Sequence, residues 1–247
     1  MITEKLSKQE INSLEALPIY GFQGVTLIDF PKHQASIVFI GGCNLRCPYC
    51  HNKELVFLNP KDRLDYKNIL EKIEKRKKII NGVSITGGEP LLYDEIFDFI
   101  KVLKEKLQLE VKIDTNGTRY KRLEYIIENK LVDYIAMDFK TIPSKYKLLG
   151  IQSEEDLESI LISVDILKKT DIPNEYRLTA APYIIEKDDL EEYGSIVKGG
   201  QKLFIQQFYP RNTLSDEYLN VKPYNIKELE KFAQILSKYI PTKIRGI

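Results

Sequence analysis

From position 36 onward two kinds of hydrophobic pattern alternate along the chain. Short apolar runs, SIVFI (36–40), VSIT (83–86), VKID (111–114) and YIAMD (134–138), are bounded by Gly, Asn, Asp or Pro. Between them lie longer stretches, at 64–80, 94–107 and 119–130, whose apolar positions recur every three or four residues. The first pattern predicts buried strands and the second amphipathic helices. The alternation continues with a helix over 154–169, YRLTAA (176–181), a helix over 188–198, KLFIQQF (202–208) and a last helix within 225–239. Asn81-Gly82 reads as the break that ends the helix over 64–80. The first 35 residues show no comparable order, although INSLEAL has the spacing of a short helix.

Six strand-then-helix units with short connections predict an α/β fold with a parallel sheet and right-handed crossovers. A partial barrel and an open doubly wound sheet both satisfy that pattern. Polar and Gly-rich segments stand at the C-terminal ends of the first four strands: GGCNLRC, TGGEP, DTNG and DFK. In parallel α/β folds that edge carries the active site.

Composition narrows the functional classes. The chain has 247 residues, 43% of them hydrophobic, which suits one domain. Lys and Arg number 37 against 36 Asp and Glu, so no global charge points to a nucleic-acid or membrane partner. The basic run EKIEKRKKII (71–80) is read as the solvated face of a helix. No apolar stretch reaches the ~18 residues of a membrane span, and MITEKLSKQEINSLE is too polar for a secretory signal. A cytoplasmic protein is the expectation.

All three cysteines, Cys43, Cys47 and Cys50, fall within GGCNLRCPYCHN (41–52), with the spacing C-x3-C-x2-C. They are too close together to staple distant parts of a fold, and buried structural cysteines have no reason to cluster, so the pattern points to a metal site. Zinc can be built from the three thiolates and His51, but structural zinc sites usually draw on two separated knuckles and no second one exists here. A four-iron cluster on three cysteines leaves one iron open to nitrogen and oxygen donors.

This spacing, with Tyr49 before the last cysteine, resembles the signature of the radical S-adenosylmethionine (SAM) superfamily. The resemblance implies a partial (β/α)6 TIM-like barrel and a [4Fe-4S] cluster on Cys43, Cys47 and Cys50. The amino and carboxylate groups of SAM would occupy the open iron, and reductive cleavage would give methionine and a 5′-deoxyadenosyl radical. TGGEPLL (86–92) resembles the family's GGEP motif, which implies that Gly87, Gly88, Glu89 and Pro90 receive the SAM ammonium group. The plain alternative is a strand-to-helix turn with Pro90 at the first helical position. DFK (138–140) resembles the D-x-K element of glycyl-radical-activating enzymes, which implies Asp138 at the ribose and Lys140 at the carboxylate. DTNG (114–117) is similar to their third-strand motif, with Asp114 and Asn116 near the cofactor; a simple turn also explains Asn-Gly. Arg177 resembles an arginine that approaches the carboxylate. The valine-proline-glycine ending of those enzymes stands here as Ala181-Pro182-Tyr183, which leaves the shape of that loop open. His51 and Asn52 complete a CPYCHN string in which His51 either tunes the cluster or is solvated.

Residues 21–52 resemble the opening of pyruvate formate-lyase-activating and anaerobic ribonucleotide reductase-activating proteins, and the likeness runs on to IQQFYP (205–210). It implies hydrogen abstraction from a glycine Cα of a partner glycyl radical enzyme, of the anaerobic ribonucleotide reductase or pyruvate formate-lyase kind. No cysteine remains for an auxiliary cluster, so the electron is expected from a ferredoxin or flavodoxin. Residues 1–24 are taken as an N-terminal extension and 25–247 as a single radical SAM domain. Two alternatives stay open: the same chemistry on a small heterocycle, as in carboxydeazaguanine synthases, and a non-catalytic metal-binding or electron-transfer module. Arg245-Gly246, superficially like a glycyl-radical segment, is read as an ordinary end of the fold.

Overall fold

The structure, a computed structural model, describes residues 2–246. The chain forms two compact units. The first takes residues up to Cys43, then 54–115 and 121–135; the second takes 44–53, 116–120 and 136 onward.

The first unit opens with α1 (Lys8–Ala16), where Ser7 and Glu10 form a reciprocal capping box, so the short helix expected around INSLEAL is present. β1 (Ile19–Thr26) follows and pairs antiparallel with β2 (Ala35–Ile40). β1 escaped sequence reading because two glycines and two register shifts spoil its alternation. The short α2 (Lys53–Val56) leaves the cysteine loop and leads to α3 (Tyr66–Glu74). β3 (Gly82–Gly87) and β4 (Glu110–Thr115) run parallel to β2, with Val38, Ile85 and Ile113 in register. These side chains are fully buried, as are Ile69, Leu70 and Ile73 of α3 and Ile96, Phe99 and Ile100 of α4 (Glu95–Lys101).

The helix expected over 64–80 is shorter than its periodicity promised. It stops at Glu74, seven residues before Asn81, because Arg76 folds back: its Nη1 donates to the Lys72 carbonyl and its guanidinium lies 5.5 Å from the Phe22 ring centroid. The cationic run is therefore only partly helical. α5 (Tyr120–Glu128) and β5 (Tyr134–Asp138) lie where periodicity placed them.

In the second unit α6 (Glu154–Lys169) has the bounds expected from sequence, since Ser153 caps it, three acids open it and two lysines close it. β6 (Asn174–Ala180), α7 (Leu190–Val197), β7 (Leu203–Gln207), α8 (Ile226–Leu236) and β8 (Thr242–Arg245) complete the unit. β6, β7 and β8 are parallel, and their buried Tyr176, Leu178, Leu203 and Ile205 pack with Tyr193 of α7 and Phe232 of α8. β8 was not expected. Arg245 pairs with fully buried Glu175 at 3.0 Å and lies 3.8 Å over the Phe204 ring. Residues 208–225, between β7 and α8, contain one 3-10 turn and otherwise no regular element. No helix among the described residues is long and apolar enough to cross a membrane.

Candidate active site

In the first unit the loop after β3 is laid along the loop after β2. The Gly88 N–H donates to the Ile40 carbonyl and the Glu89 N–H to the Gly42 carbonyl, both at 2.8 Å. This approach leaves no room for side chains. A Cβ on Gly88 would stand 1.9 Å from the Gly42 carbonyl oxygen and 3.2 Å from the Cys43 Cβ; on Gly87, with φ +125°, it would stand 2.2 Å from the Ile40 oxygen. The two glycines thus set the TGGEP backbone directly against Cys43. Glu89 is completely buried, and its Oε1 accepts from the Leu91 N–H at 3.0 Å and the Thr115 hydroxyl at 2.9 Å. Pro90 opens a 3-10 turn, as the plain turn reading expected. Asp114 is buried and paired with Lys112, which is itself buried and lies 3.5 Å from the Ser84 hydroxyl.

In the second unit Cys47 is buried and Cys50 half-buried, joined by a turn in which the Cys50 N–H donates to the Cys47 carbonyl at 3.0 Å. Long-range hydrogen bonds hold this part of the loop. The Arg46 N–H donates to the Leu149 carbonyl at 2.7 Å, the Ser215 N–H to the Pro48 carbonyl at 2.9 Å and the Asn212 amide to the His51 carbonyl at 3.1 Å. Asn116 donates to the Asn44 Oδ1 at 3.0 Å while its own Oδ1 accepts from the Thr118 N–H and hydroxyl. The expected cofactor residue Asn116 therefore braces the cysteine loop.

Asp138, Lys140 and Arg177 lie together. Arg177 Nε lies 2.7 Å from one Asp138 oxygen and Lys140 Nζ 3.2 Å from the other. Burial alone would raise the Asp138 pKa, but the two cations outweigh it and hold the carboxyl well below its usual range. Tyr49 is buried nearby, and its hydroxyl has no hydrogen-bond partner among the described residues. Burial pushes its pKa far up; Lys140 opposes that rise, while Cys47 and Asp138 add to it. His51 is exposed, with the Phe208 ring edge-on at 6.2 Å, and partial burial lowers its pKa.

The departure at Ala181-Pro182-Tyr183 resolves into a definite shape. Tyr183 has φ +70°, the left-handed conformation that glycine adopts freely, and for a bulky residue this costs roughly 1–2 kcal/mol. The turn is closed by the Ile184 and Ile185 N–H groups on the Ala181 carbonyl, at 3.2 and 3.1 Å. The loop keeps the glycine geometry without the glycine. A separate cavity of about 580 Å³, lined by Gln207, Tyr209, Tyr224, Asn225, Ile226 and Lys227, contains none of the residues expected from sequence.

A model of the radical SAM superfamily matches residues 37–198. The chain belongs to the radical SAM superfamily. Among curated relatives, a Methanocaldococcus jannaschii protein named as a glycyl-radical enzyme activating enzyme is 34% identical, over 90% of this chain and 92% of its own. A pyruvate formate-lyase-activating enzyme of Clostridium pasteurianum is 26% identical, over 86% and 90%. A 7-carboxy-7-deazaguanine synthase of Clostridium acetobutylicum is 33% identical, over only 58% of this chain and 67% of its own. The crystal structure of Streptococcus suis SuiB bound to S-adenosylmethionine superposes with a TM-score of 0.60 at 16% identity, covering 83% of this chain and 48% of SuiB, about half its length. The expected α/β fold, with an eight-stranded sheet and the partial TIM barrel of radical SAM enzymes, is thereby shown. Radical SAM membership implies a [4Fe-4S] cluster and SAM.

The residues present fit those groups. None of the three cysteines is in a disulfide. Among the described residues no group of three or more His, Cys, Asp or Glu is placed to hold a metal ion. In the first unit the glycine cradle at Cys43 leaves backbone open to close approach; in the second the buried Tyr49 hydroxyl, whose environment includes Cys47, Asp138 and Lys140, is a polar atom that a ligand can use. Sequence reading missed Thr115, Lys112, Asn44 and Tyr218. Only Lys112 carried a usable signal, since it shares a strand face with Asp114 two residues on.

Proposed function

We propose that this radical SAM enzyme activates a glycyl radical enzyme, with its cluster held by Cys43, Cys47 and Cys50. When bound, the cluster and SAM supply an electron and a sulfonium whose cleavage gives methionine and a 5′-deoxyadenosyl radical. Glu89, held by Thr115 and Leu91, receives the SAM ammonium together with the Gly87-Gly88 backbone, and Pro90 fixes the turn behind them. Asp138, kept ionised by its two cations, accepts from ribose hydroxyls, while Lys140 and Arg177 supply positive charge to the cofactor carboxylate. The observation that supports the chemistry most is the approach of TGGEP to Cys43, where a Cβ on Gly87 or Gly88 would run into the Ile40 or Gly42 backbone.

The radical abstracts hydrogen from a glycine Cα of the partner, leaving 5′-deoxyadenosine and a glycyl radical. The M. jannaschii relative supports this choice of substrate, because the likeness runs over nearly the whole of both chains. The carboxydeazaguanine synthase reading rests on a likeness to 58% of the chain and stands second. The electron comes from a ferredoxin or flavodoxin. To test the proposal, the protein reconstituted anaerobically with iron and sulfide is given dithionite, SAM and the glycyl radical enzyme encoded in the same genome. A glycyl electron paramagnetic resonance signal on that partner is expected. SAM cleavage without such a signal would contradict the activase reading and leave the superfamily assignment in place.

A further inference from the structure

Resting on the activase reading, we propose that Tyr183 is a specificity residue whose ring receives the glycine-bearing segment of the partner enzyme. Its backbone is held in the left-handed region at φ +70° by a turn that a glycine would take without strain. The ring gains little from the fold in return, since Tyr183 is 65% exposed. Neither conformation nor internal packing accounts for a tyrosine here, and strain of this kind persists where a function depends on it. What remains is a contact outside the chain.

Position favours that contact. The Tyr218 hydroxyl donates to the carbonyl of Pro182, immediately before Tyr183, at 3.0 Å. The Tyr218 ring lies 6.3 Å from that of Tyr49, the residue before Cys50. Tyr183 therefore follows a residue that is held by Tyr218, which in turn adjoins Tyr49 of the cysteine loop, and its neutral aromatic ring is exposed. A polypeptide that carries a glycine into the site must cross exposed surface, and around glycine it offers bare peptide planes on which an aromatic ring can lie flat. A small heterocycle enclosed in the site has no use for a ring on the outer surface.

Tyr183→Gly removes the ring and relieves the strain together, so folding is not put at risk. With the same-genome glycyl radical enzyme as substrate, the variant should raise the KM for the partner about tenfold. The limiting rate of radical formation and the melting temperature should stay at or above wild type, and Tyr183→Phe should keep the wild-type KM. An unchanged KM in Tyr183→Gly overturns the proposal. So does a fall in SAM cleavage measured without partner, which would mean that the loop's shape and not its ring matters. If the wild-type enzyme cleaves SAM and gives the partner no glycyl radical, the activase reading itself fails; radical formation with an unchanged KM in Tyr183→Gly sinks the role of Tyr183 alone.

Discussion

The TGGEP loop of the first unit and the Asp138, Lys140 and Arg177 cluster of the second are proposed to serve one cofactor, yet they are built from different materials. TGGEP is set by main-chain hydrogen bonds to Ile40 and Gly42 and by the absence of side-chain atoms at Gly87 and Gly88. The charged cluster is set by two long cationic side chains on one carboxylate, at 2.7 and 3.2 Å. Backbone against backbone has no slack, whereas a charged group can be replaced by a weaker one. The first region should therefore fail abruptly under substitution and the second by degrees.

Gly88→Ala tests the abrupt side and should have the largest effect. Its Cβ would meet backbone at 1.9 Å, so we expect a stability loss of about 3 kcal/mol, the upper end for overpacking, and no detectable 5′-deoxyadenosine. Wild-type cleavage by this variant would show that the loop is looser than its hydrogen bonds indicate. Arg177→Ala tests the graded side. Loss of a charge-assisted contact should weaken SAM binding roughly ten- to a hundredfold, and Arg177→Lys should recover part of it, as read by equilibrium binding.

The same cluster gives a pH dependence with a definite sign. Because the folded-state pKa of Asp138 is depressed, its contribution to stability is fully present above the ordinary carboxylate value of about 4 and is lost as pH falls through the lowered one. The melting temperature should drop more steeply between about pH 4 and 2 in the wild type than in Asp138→Asn. Parallel curves would mean that the cations do not hold the carboxyl down. The smallest effect is expected from Asn116→Ala, which deprives Asn44 and Thr118 of a partner. A loss of about 1–2 kcal/mol should appear as a few degrees in melting temperature, with SAM affinity little changed. A large loss of affinity would mean that Asn116 contacts the cofactor directly, as its motif implied.

The contiguous part of this design was legible in sequence. Cys43, Cys47 and Cys50, the GGEP string and D-x-K carry their chemistry in local spacing, and the strands that present them follow from apolar runs. Interactions that depend on distant residues were not legible. Nothing in Asn44 announces Asn116, and nothing in Tyr49 announces Tyr218, because such pairs exist only after the chain has folded. β1 was hidden by its glycines and register shifts, and the end of α3 by an arginine that binds its own helix. The unusual backbone of Tyr183 was visible only as a departure from a motif, since a sequence states which residue is present and not the φ it must adopt.

The central claim is that three thiolates hold an iron–sulfur cluster whose free iron is completed by SAM. Its most direct test is anaerobic reconstitution with iron and sulfide, followed by dithionite and SAM, with 5′-deoxyadenosine measured for the wild type and for Cys43→Ala, Cys47→Ala and Cys50→Ala. The account predicts a brown wild-type protein that releases 5′-deoxyadenosine and three single variants that release none. A colourless protein retaining zinc, or cleavage that survives loss of any one cysteine, would contradict it.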